Sequence, residues 1–130
     1  MRKALFLLAI LCMPVSAKAR TTKVDMGLCK CTAYCSCVEC SDNFGTKTAS
    51  VTTAESGRTV AVDPDVISIG SKIEINGHVY TAEDCGAGVI GDHIDIYMDD
   101  HAQVEQFGVK YKRVWVLKDK QTLCLFSEPL

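Results

Sequence analysis

Basic residues are not in excess in this sequence. The 130 residues include 14 Lys and Arg against 16 Asp and Glu, which gives a formal net charge of -2 at pH 7. A protein that binds nucleic acid through its phosphates needs clustered positive charge, so nucleic acid is not an expected partner. The sequence also lacks internal repeats and low-complexity tracts, and its length suits one domain.

Long apolar runs are scarce as well. The one clear run, Ala4 to Met13, follows two basic residues and is shorter than the about 20 residues that a membrane-spanning helix needs. Small residues in segment 17–19 have the spacing that a signal peptidase reads. The pattern predicts a signal peptide over residues 1–19 with cleavage after Ala19. The mature protein is then expected to be secreted or periplasmic, with no transmembrane segment.

Cysteine, in contrast, is abundant. Loss of Cys12 with the signal peptide leaves seven of the eight cysteines, so at least one lacks an intrachain disulfide partner. In a small exported chain, disulfides supplement the core, and each contributes about 2 to 4 kcal/mol. The disulfide candidates are Cys29, Cys31, Cys35, Cys37, Cys40, Cys85 and Cys124.

Five of these thiols lie within residues 29–40, where zinc is the alternative to disulfides because it takes four such ligands. Their spacing is not the two-pair C-x-x-C arrangement that is typical of zinc sites, and an oxidising location favours disulfides. We therefore expect disulfides, no metal and no cofactor. A bridge from Cys85 to the segment Cys35–Cys40 would pin the long loop that follows the first strand.

Short alternating segments separated by turn residues predict an all-β fold, a small barrel or sandwich. The polar segment 20–28 has no apolar periodicity and is predicted to be a flexible leader. Asn76-Gly77 tolerates the positive φ angles of a tight hairpin turn. A short helix is expected from the caps Asp99 and Asp100 to Phe107. The predicted strands are 31–35, 58–63, 72–75, 78–84, 93–98 and 112–117.

Three aspartates stand in or beside these strands. Asp63 precedes a proline, Asp84 precedes a glycine-rich loop, and Asp95 lies between two isoleucines. Aspartate is disfavoured inside strands, so Asp95 requires an explanation beyond propensity. If the isoleucines face the core, Asp95 faces an outer groove.

Several strings in this sequence resemble the 3D (Asp-Asp-Asp) domain family: TAYCSCVEC, TAS, GRTVAVDPDVISIGSKIEI, AEDCGAGVIGDHIDIYMDDH and QFGVKYKRVWVL. The resemblance runs from Thr32 to Leu117 and implies a domain over residues 29–118, followed by a tail at 119–130. It also implies a double-psi β-barrel of six strands, similar to the catalytic domain of the membrane-bound lytic transglycosylase A family.

The resemblance also implies roles for the three aspartates, which match the carboxylates that name the family. Asp95 matches the catalytic acid and base, Asp84 a second carboxylate of the groove, and Asp63 a third whose role we interpret as structural. The implied reaction cleaves the bond between N-acetylmuramic acid (MurNAc) and N-acetylglucosamine (GlcNAc) in peptidoglycan glycan strands and forms a 1,6-anhydro product. Like-charge repulsion from Asp84 is expected to raise the proton affinity of Asp95.

Other residues are candidates for holding the glycan. Aromatic rings can stack on sugar faces, although packing in a small barrel is their more common use, and glycines allow close approach of a bulky chain. The sequence departs from the usual family pattern at Ala87 and Val51, where glycine is common, and at position 93, where arginine is frequent. The alternative function is a non-catalytic, expansin-like wall-binding module. The substrate-binding candidates are Tyr34, Thr48, Gly86, Gly88, His93 and Tyr97.

Overall fold

Six strands of the chain close into a barrel, in the order β1-β5-β2-β4-β3-β6. The structure, a computed structural model, describes residues 20–119, so the predicted signal peptide, Cys124 and residues 120–130 lie outside the described part. The elements are β1 (Thr21–Tyr34), α1 (Val38–Ser41), β2 (Thr59–Ala61), β3 (Lys72–Ile75), β4 (His78–Asp84), β5 (His93–Tyr97), α2 (His101–Phe107) and β6 (Lys110–Asp119). The expected all-β barrel of six strands with short helices is confirmed.

Along the strands, apolar residues that face the interior alternate with residues that face outward, and the apolar ones fill the barrel. Ile94 and Ile96 are buried in it, whereas Asp95 between them is on the opposite face, as the alternation predicts. The predicted hairpin is also present: Asn76 and Gly77 have φ values of 50° and 78° and connect β3 to β4. The core residues are Cys29, Cys31, Val60, Val62, Ile67, Ile73, Ile75, Ala82, Ile94, Ile96, Val114 and Val116.

The prediction of a flexible leader over residues 20–28 is wrong, because β1 begins at Thr21. Residues Thr21 to Asp25 pair antiparallel with β6, from Asp119 back to Trp115, and extend the two strands as a ribbon. The β1 residues of this ribbon are exposed at all five positions, so they need no apolar face, whereas Val116 of β6 is buried in the core. The absence of alternation that suggested a leader reflects that exposure and not a lack of structure.

A long connection, residues 35–58, joins β1 to β2 and is called the long loop below. It contains α1 and one isolated bridge between Lys47 and Thr53. Backbone hydrogen bonds fold it on itself, from the amide of Ala54 to the carbonyl of Thr46 (2.8 Å), and onto β4, from the amide of Ser50 to the carbonyl of Glu83 (3.0 Å).

The short helix α2 agrees with its predicted caps. The Asp100 carboxylate accepts a hydrogen bond from the Gln103 amide (2.9 Å), and Gly108 ends the helix with φ 63°. Within residues 20–119, no helix is long and apolar enough to span a membrane.

Candidate active site

One row of residues crosses four neighbouring strands on the outer face of the barrel. Thr32 of β1 pairs with Asp95 of β5, Asp95 with Ala61 of β2, and Ala61 with Asp84 of β4. Directly paired residues project from the same face of a sheet, and adjacent strands are about 4.8 Å apart. The two acids are therefore about 10 Å apart at Cα, separated by the single methyl group of Ala61.

A β-bulge brings Asp84 into this row. Val60 pairs with Ala82, whereas the next residue, Ala61, pairs with Asp84, so β4 carries one extra residue at Glu83. Without the bulge, alternation would put Asp84 on the same side as the buried Ala82. The displaced Glu83 is itself buried, and it accepts hydrogen bonds from the Thr59 hydroxyl (2.6 Å) and from Arg58 Nε (3.1 Å).

A cleft of about 980 Å³ lies over this row. Its floor includes both acids and Ala61, one wall comes from the long loop, and the other from the glycine-rich loop 85–89. Five of the six predicted glycan-binding residues line it: Tyr34, Thr48, Gly86, Gly88 and His93.

The exception is Tyr97, which is 5% exposed and packs edge-on against Tyr34 at a ring-centroid distance of 5.3 Å. This is the packing use that the sequence left open.

Asp95 is half-buried and has one hydrogen bond among the described residues. The Thr32 hydroxyl donates to Asp95 Oδ1 (2.8 Å), and Oδ2 is left for another partner. Burial raises the pKa of Asp95; the Thr32 hydrogen bond and the charge of His93 oppose this rise, and the charge of Asp84 adds to it. The expected repulsion by Asp84 is thus a minor contribution, and desolvation is the main cause.

His93 acts on Asp95 through Thr32. Its Nε2 lies 2.7 Å from the Thr32 hydroxyl, and its Nδ1 lies 3.2 Å from the carbonyl of Gly88. Because the single hydroxyl proton of Thr32 goes to Asp95, Nε2 donates to Thr32, and an imidazolium satisfies both contacts. If Asp95 holds the proton and donates it to Thr32, the hydroxyl turns to Nε2 and a neutral imidazole suffices. Thr32 therefore connects the two titratable groups in either state.

Asp84 is held by more donors than Asp95. Its Oδ1 accepts from the amides of Ala49 and Cys85 (both 3.0 Å), and its Oδ2 accepts from the Tyr34 hydroxyl (2.8 Å). Tyr34 ends β1 and Cys85 directly follows β4, whereas Ala49 belongs to the long loop. Asp84 thus fastens the loop to the barrel beside the cleft.

Asp63 makes a different set of contacts and does not line the cleft. Its carboxylate accepts from the amides of Asp65 (3.0 Å) and Gly91 (2.8 Å), and these hydrogen bonds lower its pKa. It connects the turn after β2 to Gly91, which follows the glycine-rich loop. Asp63 thus binds backbone amides outside the cleft, and its structural role stays a prediction.

The cysteines differ from the sequence expectation. The six described cysteines are free thiols, so the predicted bridge from Cys85 to the segment Cys35–Cys40 is not formed. Cys29 and Cys31 are buried in the barrel core, and Cys85 is exposed at the rim of the cleft.

Sequence reasoning missed two residues of functional interest. Thr32 opens one of the family-like strings but received no role from it, and only the parallel pairing of β1 with β5 brings it to Asp95. His101 starts α2, and its Nδ1 lies beside the sulfurs of Cys37 and Cys40 (both 3.4 Å). A histidine preceded by a helix cap was the only signal, and it does not point to distant thiols.

Comparison with known proteins gives a family and two relatives. Residues 58–118 match the model of the 3D domain. YabE of Bacillus subtilis (strain 168), whose name describes a cell wall shaping protein, is 32% identical over 88 residues, 66% of this chain and 21% of YabE. The cell wall-binding protein YocH of the same organism is 38% identical over 61 residues, 46% of this chain and 21% of YocH. The chain therefore spans about a fifth of the length of both relatives.

Among solved structures, the barrel is similar to MltA from Escherichia coli, reported as a unique lytic transglycosylase fold. That match has a TM-score of 0.50 and 28% identity, and it covers 58% of this chain and 28% of MltA. MltA with bound chitohexaose matches with a TM-score of 0.50 and 27% identity, over 56% of this chain and 27% of MltA.

Proposed function

Since the chain carries a 3D domain over residues 58–118, we propose that it is a lytic transglycosylase that cleaves the MurNAc–GlcNAc bond of peptidoglycan. Asp95 is its general acid and base, and it acts in the cell envelope or outside the cell, where this polymer lies. One observation carries the proposal: a half-buried carboxyl group of raised pKa lies in an open cleft, with one hydrogen bond among the described residues.

The reaction begins with Asp95 protonated, the state that its burial favours. Asp95 donates this proton to the oxygen between MurNAc C1 and GlcNAc, the C1–O bond breaks, and the muramoyl ring becomes oxocarbenium-like. The Asp95 carboxylate then accepts the proton of the muramoyl 6-hydroxyl, and that oxygen bonds to C1. The product is a 1,6-anhydro sugar, no water is consumed, and Asp95 ends protonated as it began.

One carboxyl group is sufficient for this chemistry, and the contacts of Asp84 favour a one-acid mechanism. A glycosidase with two working carboxylates needs the second one free to act on C1 or on water. Both oxygens of Asp84 are instead occupied by Tyr34, Ala49 and Cys85. Asp84 therefore serves to hold the long loop at the cleft, and its charge adds to the proton affinity of Asp95.

Thr32 and His93 support Asp95 during the two steps. When Asp95 becomes a carboxylate, the Thr32 hydroxyl donates to it, and His93 provides a positive or hydrogen-bonding group next to Thr32. Arginine is frequent at this position of the family, so His93 keeps a positive or hydrogen-bonding group there.

A second candidate function is a wall-binding module without catalysis, and the name of YocH, a cell wall-binding protein, favours it. In that case the carboxylates of the cleft accept hydrogen bonds from sugar hydroxyls. The raised pKa of Asp95 is less easily explained by this function, because a neutral carboxyl group is a weaker acceptor than a carboxylate.

Incubation of the purified protein with peptidoglycan sacculi distinguishes the two functions. We expect soluble muropeptides with 1,6-anhydro ends, detected by chromatography and mass spectrometry. Protein that sediments with the sacculi and releases no muropeptide would support the binding module and contradict the enzyme. Release of muropeptides with reducing ends would contradict the one-acid mechanism.

A further inference from the structure

A cluster of four metal-ligating side chains lies beside the cleft, outside the row of acids. The sulfurs of Cys35, Cys37 and Cys40 and a ring nitrogen of His101 all lie within 4.8 Å of one another. The three cysteines lie close together in sequence, between the end of β1 and α1, whereas His101 starts α2, 61 residues after Cys40. The cluster is therefore created by the fold.

The nitrogen–sulfur distances in the cluster suit tetrahedral coordination. With Zn–S of about 2.3 Å and Zn–N of about 2.0 Å, a tetrahedron separates sulfur from nitrogen by about 3.5 Å and sulfur from sulfur by about 3.8 Å. His101 Nδ1 lies 3.9, 3.4 and 3.4 Å from the sulfurs of Cys35, Cys37 and Cys40. The sulfurs of Cys35 and Cys37 are 3.2 Å apart, well beyond a disulfide length of about 2.05 Å.

His101 has the surroundings of a metal ligand. Its Nδ1 faces the three sulfurs, while its Nε2 lies 3.3 Å from Glu39 Oε2 and 3.6 Å from Glu105 Oε1. A histidine that binds a metal through one nitrogen usually donates its other N–H to a carboxylate, which fixes the tautomer and strengthens the ligand. This is an observation independent of the thiols, and it points to the same use of the cluster.

The backbone holds all four ligands at one edge of the barrel. β1 and β5 run parallel, and their last residues, Tyr34 and Tyr97, are paired. The segments that follow the two strands therefore leave the barrel side by side, and the Met98 amide donates to the Tyr34 carbonyl (2.8 Å). The Asp100 cap then starts α2 at His101. Cys35 follows β1 directly and is 2% exposed, which gives the cluster a buried side.

We propose that Cys35, Cys37, Cys40 and His101 bind one zinc ion as a closed structural site. Three thiolates and one imidazole form a known class of structural zinc site, and four protein ligands leave no position open for substrate. The sequence expectation of disulfides and no metal is replaced by this proposal for these three cysteines.

The proposed zinc site has a consequence for the cleft. Cys40 lines the cleft wall, followed along the chain by Ser41, Asp42 and Phe44, which line it too. A zinc ion would connect this wall to α2 and to the ends of β1 and β5. The metal would thus fix the start of the long loop, as Asp84 fixes its middle through Ala49.

Zinc content is the direct test of the proposal. The full chain, purified without chelator, is expected to hold one zinc per molecule by plasma mass spectrometry, and zinc is expected to be lost in Cys37→Ser and His101→Ala. Cys85→Ser is the matched control, because it removes an exposed thiol outside the cluster, and it should keep its zinc. Replacement of zinc by cobalt should give the visible absorption of a tetrahedral thiolate site.

The ligand variants could lose zinc because they misfold, so a second test uses a variant that keeps all four ligands. Glu39→Gln with Glu105→Gln removes both carboxylates beside His101 and is expected to weaken zinc binding by about 10- to 100-fold in competition with a chelator. Unchanged affinity in this variant would contradict the assigned role of His101.

Two results would overturn the proposal. One is wild-type protein without zinc whose unreduced mass shows a disulfide within the cluster. The other is equal zinc in the wild type and in all ligand variants, which would mean adventitious binding. Neither result depends on glycan cleavage, so the zinc site and the proposed enzyme are tested separately.

Discussion

The barrel and the long loop are held in place by different interactions. Apolar side chains such as Ile73 and Ile94, both nearly inaccessible to solvent, fill the barrel. The long loop has few buried apolar residues, and polar contacts fasten it, above all those of Asp84 and of the thiol cluster. The acid that we assign to catalysis lies where the two regions meet. Stability and activity should therefore respond to different substitutions.

The largest expected effect is loss of activity in Asp95→Asn. Removing the proton donor should lower the rate of anhydromuropeptide release by about 10²- to 10⁴-fold. The barrel should remain folded, because Asn can still accept the Thr32 hydrogen bond. Asp65→Asn is the matched control: Asp65 is exposed and outside the cleft, so its variant should keep full activity. Full activity in Asp95→Asn would refute the assignment.

The next comparison sets the barrel core against the long loop. Ile73→Ala should lower the free energy of unfolding by about 2 to 5 kcal/mol, because it leaves a cavity in the closed barrel. Phe44→Ala, at a loop residue that is 74% exposed, should change it by less than about 0.5 kcal/mol. Urea denaturation measures both. Equal losses would show that the loop is part of the same apolar core.

Asp84→Asn tests the polar attachment of the loop. The amide cannot accept from all three donors of Asp84, so the free energy of unfolding should fall by about 1 to 3 kcal/mol. Hydrogen exchange at the Ala49 amide should become faster, while the Ile94 amide in the barrel stays protected. Uniform loss of protection in both regions would contradict a local role for Asp84.

The pH dependence of stability tests the burial of Asp95. Its pKa in the folded protein is raised from 3.8, so the protonated form is the one that folding favours. The stability that Asp95 contributes is fully present below pH 3.8 and is lost as the pH rises through its folded pKa. Asp95→Asn should therefore gain stability relative to the wild type on going from acid to neutral pH. If the difference in free energy of unfolding between Asp95→Asn and the wild type does not change with pH, Asp95 is not desolvated.

The smallest expected effect concerns Val51, which is 94% exposed and has φ 64°. A β-branched residue is strained in this left-handed region, where glycine is not. Val51→Gly should raise the free energy of unfolding by up to about 1 kcal/mol, since relief of strain exceeds the entropy cost of glycine. Val51→Ala keeps Cβ and should give a smaller gain. Thermal unfolding of the three proteins checks the order.

Several features of the fold were predictable from local patterns. The isoleucines around Asp95 show which side of β5 faces the core, and Asn76-Gly77 identifies the β3–β4 hairpin. The resemblance to the 3D family led to the closed barrel and to the candidate acids. At Val51, where the family commonly has glycine, the backbone has the positive φ that glycine adopts without strain.

Other features depend on contacts that no local pattern records. The first residues of β1, Thr21 to Asp25, are exposed, so they show no apolar alternation that could predict a strand. The bulge at Glu83 shifts the register by one residue and turns Asp84 to the cleft. Thr32 meets Asp95, and His101 meets the thiols, only through pairings between strands far apart in sequence.

Digestion of sacculi in water enriched in heavy oxygen tests the central claim most directly, because it identifies the nucleophile that follows proton donation by Asp95. We predict 1,6-anhydro muropeptides without the heavy isotope, since the attacking oxygen belongs to the sugar itself. Muropeptides that carry heavy oxygen at reducing ends, or no released muropeptides at all, would contradict a transglycosylase that works with one acid.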